Sequence, residues 1–273
     1  MKADLHVHSH YSDGSGTVDE VLRAASENGV NRISFVDHDT TQGLFEKIET
    51  GKQYGIDVVP GIEISAYDYE RKRKVHVLGY HFSPDAIHIH ELCQPLLRKR
   101  HAFSLWQIDQ IRSAGYPLDP EGIGKSASPG GTIYKQHIMK HLTTSDYHAA
   151  AYQTLYQQLF KGNGPASGDI AYIDAFDAVR AIRADDGIAV VAHPGQLDSY
   201  DIIHELIPIG LNGVERNHPD HTEEDHQKVE ALASEYNLYM TGGTDYHGTF
   251  GVPIQVGDLV SPSSLESVDI GSI

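Results

Sequence analysis

Hydrophobic and polar positions alternate along the chain in short blocks. Ala3-Asp4-Leu5-His6-Val7-His8 alternates with period two, the mark of a half-buried strand, which puts Leu5 and Val7 on one face and Asp4, His6 and His8 on the other. A helical pattern follows from Val18 to Asn28, opened by a capping box of Thr17 and Glu20 and stopped by Gly29. Further strands are predicted at Arg32 to Asp37, Asp57 to Glu63, Lys74 to Tyr80, Ile188 to His193, Gly213 to Asn217 and Leu238 to Gly243. Helices are predicted at about Ala175 to Arg183, Tyr200 to Ile207 and Glu223 to Tyr236, the last capped by Thr222 with Asp225. Seven strands in this rhythm predict an α/β fold, and a β/α barrel rather than an open sheet, because the polar residues at the strand ends must converge on one mouth. Between Ser83 and Gly168 the strand rhythm stops, and Glu91 to Ala114, Ile133 to Leu142 and Ser145 to Phe160 read as helices. The barrel is therefore expected over 1–82 and 169–273, with a helical insertion over 83–168.

Composition changes this picture in three ways. Acidic residues outnumber basic ones 38 to 21, a net charge of −17 that repels nucleic-acid backbone and anionic lipid, so neither duplex nucleic acid nor a membrane is an expected partner. Cys93 is the single cysteine, which excludes an intrachain disulfide and a thiolate metal cage. With no run of 18 apolar residues and a start that leads straight into a strand, the expected compartment is the cytoplasm. The one departure from ordinary usage is 18 histidines, scattered along the chain.

Their positions carry the chemistry. His6 and His8 share a strand face and can bind one ion together. His38 follows the second strand, Glu63 ends the third, His76 lies on the fourth, His193 ends the fifth, Asp245 and His247 follow the seventh, and Asp13 sits in the loop after the first. A cluster of unpaired carboxylates and imidazoles would cost several kcal/mol, which divalent cations relieve. Nine ligand-type residues exceed the three that a catalytic zinc ordinarily takes from protein, and three ions at about three ligands each fit the number. The nitrogen and oxygen mixture suits zinc, manganese or iron.

The motifs Asp4-Leu5-His6-Val7-His8-Ser9 with Ser12-Asp13-Gly14, Asp37-His38-Asp39-Thr40, Pro60-Gly61-Ile62-Glu63, Val75-His76-Val77-Leu78-Gly79, Ala192-His193-Pro194-Gly195 and Gly243-Thr244-Asp245-Tyr246-His247-Gly248 resemble, in order, those of the PHP (polymerase and histidinol phosphatase) superfamily. The insertion after His76 and the closing Gly-Thr-Asp-Tyr-His-Gly are most similar to its TrpH-like phosphoesterases. The resemblance implies a distorted seven-stranded barrel with a trinuclear site that hydrolyses phosphate esters of small nucleotides, such as 3′,5′-bisphosphates or nucleoside monophosphates, or of the 5′ ends of short RNA. It implies one ion on His6, His8, Glu63 and Asp245, a second on Glu63, His76 and His193, and a third on Asp13, His38 and His247. Glu63 would bridge the first pair, whose separation lets two ions share one hydroxide. Glu63 and His247 are then the candidate catalytic residues.

Substrate contacts are expected from Arg98 and Arg100 in the basic run Arg98-Lys99-Arg100-His101, from Tyr134 and Lys135, and from Arg216 and His218 after the sixth strand. Tyr134-Lys135-Gln136-His137-Ile138 occupies the place where many relatives carry Gly-Arg-Pro-His-Ile, so Lys135 keeps the charge and loses the guanidinium fork. Three other readings stay open: a phosphatase for another small monoester such as histidinol phosphate, a non-catalytic metal-binding module, and a C–N hydrolase. The last would need a carbamylated lysine where Glu63 stands.

Overall fold

A computed structural model of the chain describes residues 1–265; the expected end of the barrel, 266–273, lies outside the described residues. The strands are β1 (Ala3–Val7), β2 (Arg32–Phe35), β3 (Asp57–Asp68), β4 (Arg73–Tyr80), β5 (Ile173–Asp174), β6 (Ile188–Val191), β7 (Leu211–Asn217) and β8 (Tyr239–Gly242). They form one curled sheet in the order β1-β2-β3-β4-β6-β7-β8, with two-residue β5 attached to the side of β3. The seven principal strands fall where the polar and apolar pattern predicts them.

The direction of β4 departs from a uniform β/α rhythm. The pairs β1–β2, β2–β3, β6–β7 and β7–β8 are parallel, but β4 is antiparallel to both β3 and β6. Only residues 69–72 join β3 to β4, too few for a crossover helix, so the two strands pair as a hairpin. This reversal brings the first half of β4 to the mouth and sets His76 opposite Ser65 of β3.

Inside the curl, Ala3, Leu5, Val59, Leu78, Tyr80 and Val190 pack into a filled interior. One outer layer is α1 (Val18–Glu27) and α2 (Leu44–Tyr54), with Val21 and Leu22 packed on Ile33 and Phe35. Glu20 N donates to Thr17 Oγ1 at 3.3 Å and Thr17 N to Glu20 Oε2 at 2.8 Å, the reciprocal cap that starts α1. On the other side lie α7 (Ala175–Ala184), α8 (Pro194–Leu197), α9 (Ile203–Leu206) and α10 (Glu223–Tyr236), with Val179, Ile182, Ile203 and Val229 against Ile64, Val77 and Val191.

The two sheet edges meet at β1 and the segment after β8. Thr244 donates from its backbone N and its Oγ1 to the two carboxylate oxygens of buried Asp4, at 3.0 and 2.7 Å, and His8 N donates to the Tyr246 carbonyl at 2.9 Å. Gly243 lets the chain pass here, since a Cβ would collide with His6 N and the Asp4 carboxylate.

Between β4 and β5 the chain is helical: α3 (Ile87–Ser113), α4 (Pro120–Lys125), α5 (Lys135–Lys140) and α6 (Ala150–Phe160). Ile108, Ile111, Ile123, Ile138, Met139 and Phe160 form a core of their own. The 27-residue helix α3 ties this core to the barrel, because Ile89, Cys93 and Leu96 from its first half belong to the barrel's outer core. No helix among the described residues is long and apolar enough to cross a membrane.

Candidate metal centre and substrate cavity

Strict alternation on β1 would turn Leu5 and His6 to opposite faces. The β1–β2 ladder is irregular between Asp4 and Val7, and a bulge of this kind re-aims side chains. Leu5 therefore joins the interior core and Val7 packs beneath α1, while His6 and His8 both reach the mouth. Leu5 and Val7 thus do not share a face, contrary to the simple period-two reading.

At the mouth, His6 Nε2 lies 3.3 Å from Glu63 Oε2 and 3.2 Å from Asp245 Oδ1, and His8 Nε2 lies 3.1 Å from each of the same two oxygens. A tetrahedron with metal–ligand bonds of ~2.0 to 2.1 Å has edges of about 3.3 Å, so this set has the spacing of four ligands around one ion. The other oxygen of Glu63 faces a different pair, His76 Nδ1 at 2.7 Å and His193 Nε2 at 3.0 Å. Glu63 is thus shared between two imidazole pairs, one on each carboxylate oxygen. His38 Nδ1 approaches Glu63 Oε2 at 3.5 Å, and His38, Glu63 and His76 form a second metal-sized group. A third group joins His8, Asp13, His38 and His247, with His247 Nε2 3.3 Å from Asp13 Oδ1.

Divalent ions fit these residues on two counts. Nε2 of His8 and Nδ1 of His38, both turned toward the carboxylates, are buried without an aligned hydrogen-bond partner, a costly state that coordination would relieve. The donors are imidazole nitrogens and carboxylate oxygens of the kind that zinc, manganese and iron take.

Hydrogen bonds orient the rings. His6 Nδ1 pairs with Glu215 Oε1 at 2.9 Å, which leaves the Nε2 lone pair for the mouth. The second oxygen of Glu215 accepts from the backbone of His193 at 2.8 Å, so one buried carboxylate braces two candidate ligands. His247 Nδ1 donates to the Asp245 carbonyl at 2.8 Å, again freeing Nε2. His218 is arranged the other way: its Nδ1 accepts from Asp220 N at 3.1 Å, so the neutral ring carries its proton on Nε2, 3.3 Å from Asp245 Oδ2. Asp37 takes Ser9 and Ser12 at 2.8 Å each and pairs with buried Lys47 at 2.5 Å, which pins the loop that carries Asp13. His193 and Asp245 hold positive φ angles of 23° and 49°, strained turns that aim their side chains inward.

The charges interact strongly. Burial opposes ionisation of Glu63, Asp13 and Asp245, but the surrounding histidines hold all three carboxyls well below the usual range. Burial likewise favours neutral His8, yet Asp245 and Glu63 push it up to about 10, whereas burial takes His38 down to about 4. Three buried carboxylates therefore demand cations, whether protons or metal ions.

Beside the mouth opens a cavity of about 470 Å³ lined by Asp13, His38 and His76 from the barrel and by Arg100, Tyr134, Lys135 and Gln136 from the helical segment. Arg100 is fixed by Asp39 Oδ2 at 2.7 Å and by Ser65 Oγ at 3.0 Å, and its guanidinium lies over the Tyr134 ring. Tyr134 OH donates to the His38 carbonyl at 3.1 Å, and Gln136 Nε2 to Asp13 Oδ2 at 2.9 Å. His218 lines a smaller cleft of about 120 Å³ with Asp245 and His247. Two candidate substrate residues stand elsewhere. Arg98 is exposed and lines a separate cavity with Cys93 and His101, because it lies two positions from Arg100 on a helix and so faces away from it. Arg216 binds Glu230 of α10 at 2.6 Å on the outside of the sheet. Glu215, Lys47 and Gln136 escaped the sequence reading. Only Glu215, an acidic residue on a buried strand, carried a signal that could have found it.

A model of the PHP domain matches residues 4–182. The phosphoribosyl 1,2-cyclic phosphate 1,2-diphosphodiesterase of Eggerthella lenta is 51% identical over 257 residues, which cover 94% of this chain and 98% of that protein. The 3′,5′-nucleoside bisphosphate phosphatase of Chromobacterium violaceum is 27% identical over 257 residues, 89% of this chain and 86% of that protein. A crystal structure from Bifidobacterium adolescentis, 24% identical, superposes with a TM-score of 0.83 over 95% of this chain and 92% of that one, so the fold is shared.

Proposed function

The chain belongs to the PHP domain family and is a phosphoesterase of its metal-dependent kind; from that premise we propose that its substrate is a phosphorylated ribosyl 1,2-cyclic phosphate. The observation that carries this reading is the 51% identity to the Eggerthella lenta enzyme along nearly the whole of both chains. The nucleotide monoesters expected from the sequence become the second reading, favoured by the 27% identical bisphosphate phosphatase.

In this proposal the barrel, 1–82 and 169–273, supplies the chemistry, and 83–168 supplies the cavity wall. His6, His8, Glu63 and Asp245 hold one ion, Glu63, His76 and His193 a second, and Asp13, His38 and His247 a third, the ions being zinc, manganese or iron. Bound there, such ions supply Lewis acidity and ease the ionisation of water. Glu215 keeps the lone pair of His6 turned to the mouth. His247 serves as a ligand, because its Nδ1 proton is committed to a carbonyl. His218 directs its Nε2–H to the edge of the mouth and is placed to hydrogen-bond the departing alkoxide. Arg100, locked by Asp39, offers its remaining N–H donors to the non-bridging phosphate oxygens.

Water attack at phosphorus breaks one ester bond of a cyclic diester and leaves a phosphate monoester; a second attack frees orthophosphate. The test is turnover of the cyclic substrate by the metal-loaded protein in ¹⁸O-water, beside 3′,5′-bisphosphates, nucleoside monophosphates and histidinol phosphate. We expect the cyclic substrate to give the highest kcat/KM and orthophosphate with two labelled oxygens. Release of a stable monoester, or a higher kcat/KM on a 3′,5′-bisphosphate, overturns the reading.

A further inference from the structure

Outward from Arg100, the cavity beside the mouth is lined by Lys74 of β4, Lys135 of α5 and Lys161 just after α6, together with Tyr156, Asp169 and Tyr172. Three lysines from three elements on one wall are unexpected in a chain of net charge −17. Their counter-charges are unequal. Lys74 is neutralised, with its Nζ 2.7 Å from Asp169 Oδ2 and 3.2 Å from Tyr172 OH. Arg100 is neutralised by Asp39. Lys135 and Lys161 rest instead against aromatic faces, their Nζ atoms 6.0 Å from the Phe160 ring and 5.8 Å from the Tyr156 ring. The catalytic chemistry leaves these two lysines unused.

We propose that Lys135 and Lys161 form a receptor for a second, non-reacting phosphate, so that the enzyme selects substrates bearing one phosphate at the metal centre and another at the outer end of the cavity. The inference rests on the phosphorylated-ribosyl reading and names how that substrate is recognised. An unpaired ammonium beside an aromatic ring and a carboxylate-bound neighbour repels cations and accepts a phosphate dianion, whose oxygens both lysines can share. Burial lowers Lys135 to about 8, and its cationic neighbours Lys74, Lys161 and Arg100 act in the same direction against Asp169 alone, so an arriving dianion relieves the strain among like charges. Lys74 keeps Asp169 occupied and prevents that carboxylate from filling the receptor. One cavity of about 470 Å³ holds both the receptor and three of the candidate ligands, enough room for a single small sugar bisphosphate.

Binding tests this apart from turnover. With the metal-loaded full chain, ribose 5-phosphate, which carries only the spectator phosphate, is titrated by calorimetry against ribose. Wild type should bind ribose 5-phosphate, and Lys135→Ala with Lys161→Ala should weaken it about 100-fold, the loss expected for two charge-assisted hydrogen bonds, while Lys135→Arg retains it. In turnover, the preference for phosphoribosyl 1,2-cyclic phosphate over the same cyclic ester without the second phosphate should collapse in the double variant. Equal binding by wild type and the double variant, or binding of ribose as tight as ribose 5-phosphate, overturns the receptor. Lysine-dependent binding in an enzyme that hydrolyses a different ester upholds the receptor and removes the proposed reaction instead. Melting temperature and metal content of the variants, which should match wild type, separate loss of the receptor from loss of the fold.

Discussion

The metal centre and the outer cavity sit side by side but are built on opposite terms. At the centre every charged group is closely opposed: Glu63 alone lies within 3.5 Å of five histidines, and a second carboxylate, Glu215, fixes two of the ligands from behind. In the cavity, Lys135 and Lys161 lean on aromatic rings, and among the described residues no carboxylate pairs with either. In the proposed reading, the first region spends its charges on positioning ions, and the second leaves charge free for a ligand. A buried, fully opposed cluster tolerates little change, whereas a half-open cationic wall can be retuned without disturbing the barrel. On that reading, chemistry is separated from selection.

The most severe test of this division is Glu63→Gln. One carboxylate faces two imidazole pairs, so its loss should lower turnover by about 1,000-fold or more and reduce bound metal by more than one equivalent, measured by steady-state kinetics and elemental analysis. Near-normal rate with full metal would show that the centre does not depend on that shared carboxylate. Glu215→Ala probes the brace behind the ligands. Metal affinity should fall about 10- to 100-fold, with activity restored by excess metal, as for other residues that orient a ligand histidine. Recovery at high metal separates a positioning loss from a folding loss.

The smallest expected effect belongs to the cavity and depends on pH. Lys135 is held down to about 8, mainly by burial. It is charged below that value and neutral above it, so raising the pH from 7 to 9 removes a cation from the wall. KM for a doubly phosphorylated substrate should rise up to about 10-fold over that interval, the change expected as a charge-assisted hydrogen bond is lost, and Lys135→Arg should flatten the rise because a guanidinium stays protonated. A KM that rises equally for singly phosphorylated substrates would move Lys135 from the receptor to the reacting phosphate.

Much of this was legible in one dimension. Short β-rich runs gave the seven strands, Thr17 with Glu20 and Thr222 with Asp225 gave two helix starts, and histidines and carboxylates near successive strand ends marked the mouth. The facing of β1 was not legible, because a bulge breaks the alternation that pattern reading assumes. Nor was the placement of Arg98 against Arg100. Both lie in one basic run, and only the packing of α3 turns one to the cavity and the other away. Lys74 could have been found, since it lies two residues before His76 on the same strand and so shares its face. Lys161 sits in a turn-rich stretch with no periodicity to orient it.

The sequence by itself determined which side chains are available for chemistry and which secondary elements carry them, because strand alternation, capping and ligand type are local properties. Only the tertiary structure decided which of those groups meet. The hairpin reversal of β4 brings His76 to the mouth, Glu63 divides its two oxygens between imidazole pairs from separate strands, and Glu215 reaches across to His6. In the cavity, the fold gives Lys74 a carboxylate and, among the described residues, leaves Lys135 and Lys161 without one. Each of these depends on distances between residues far apart in the chain, which a local pattern does not contain.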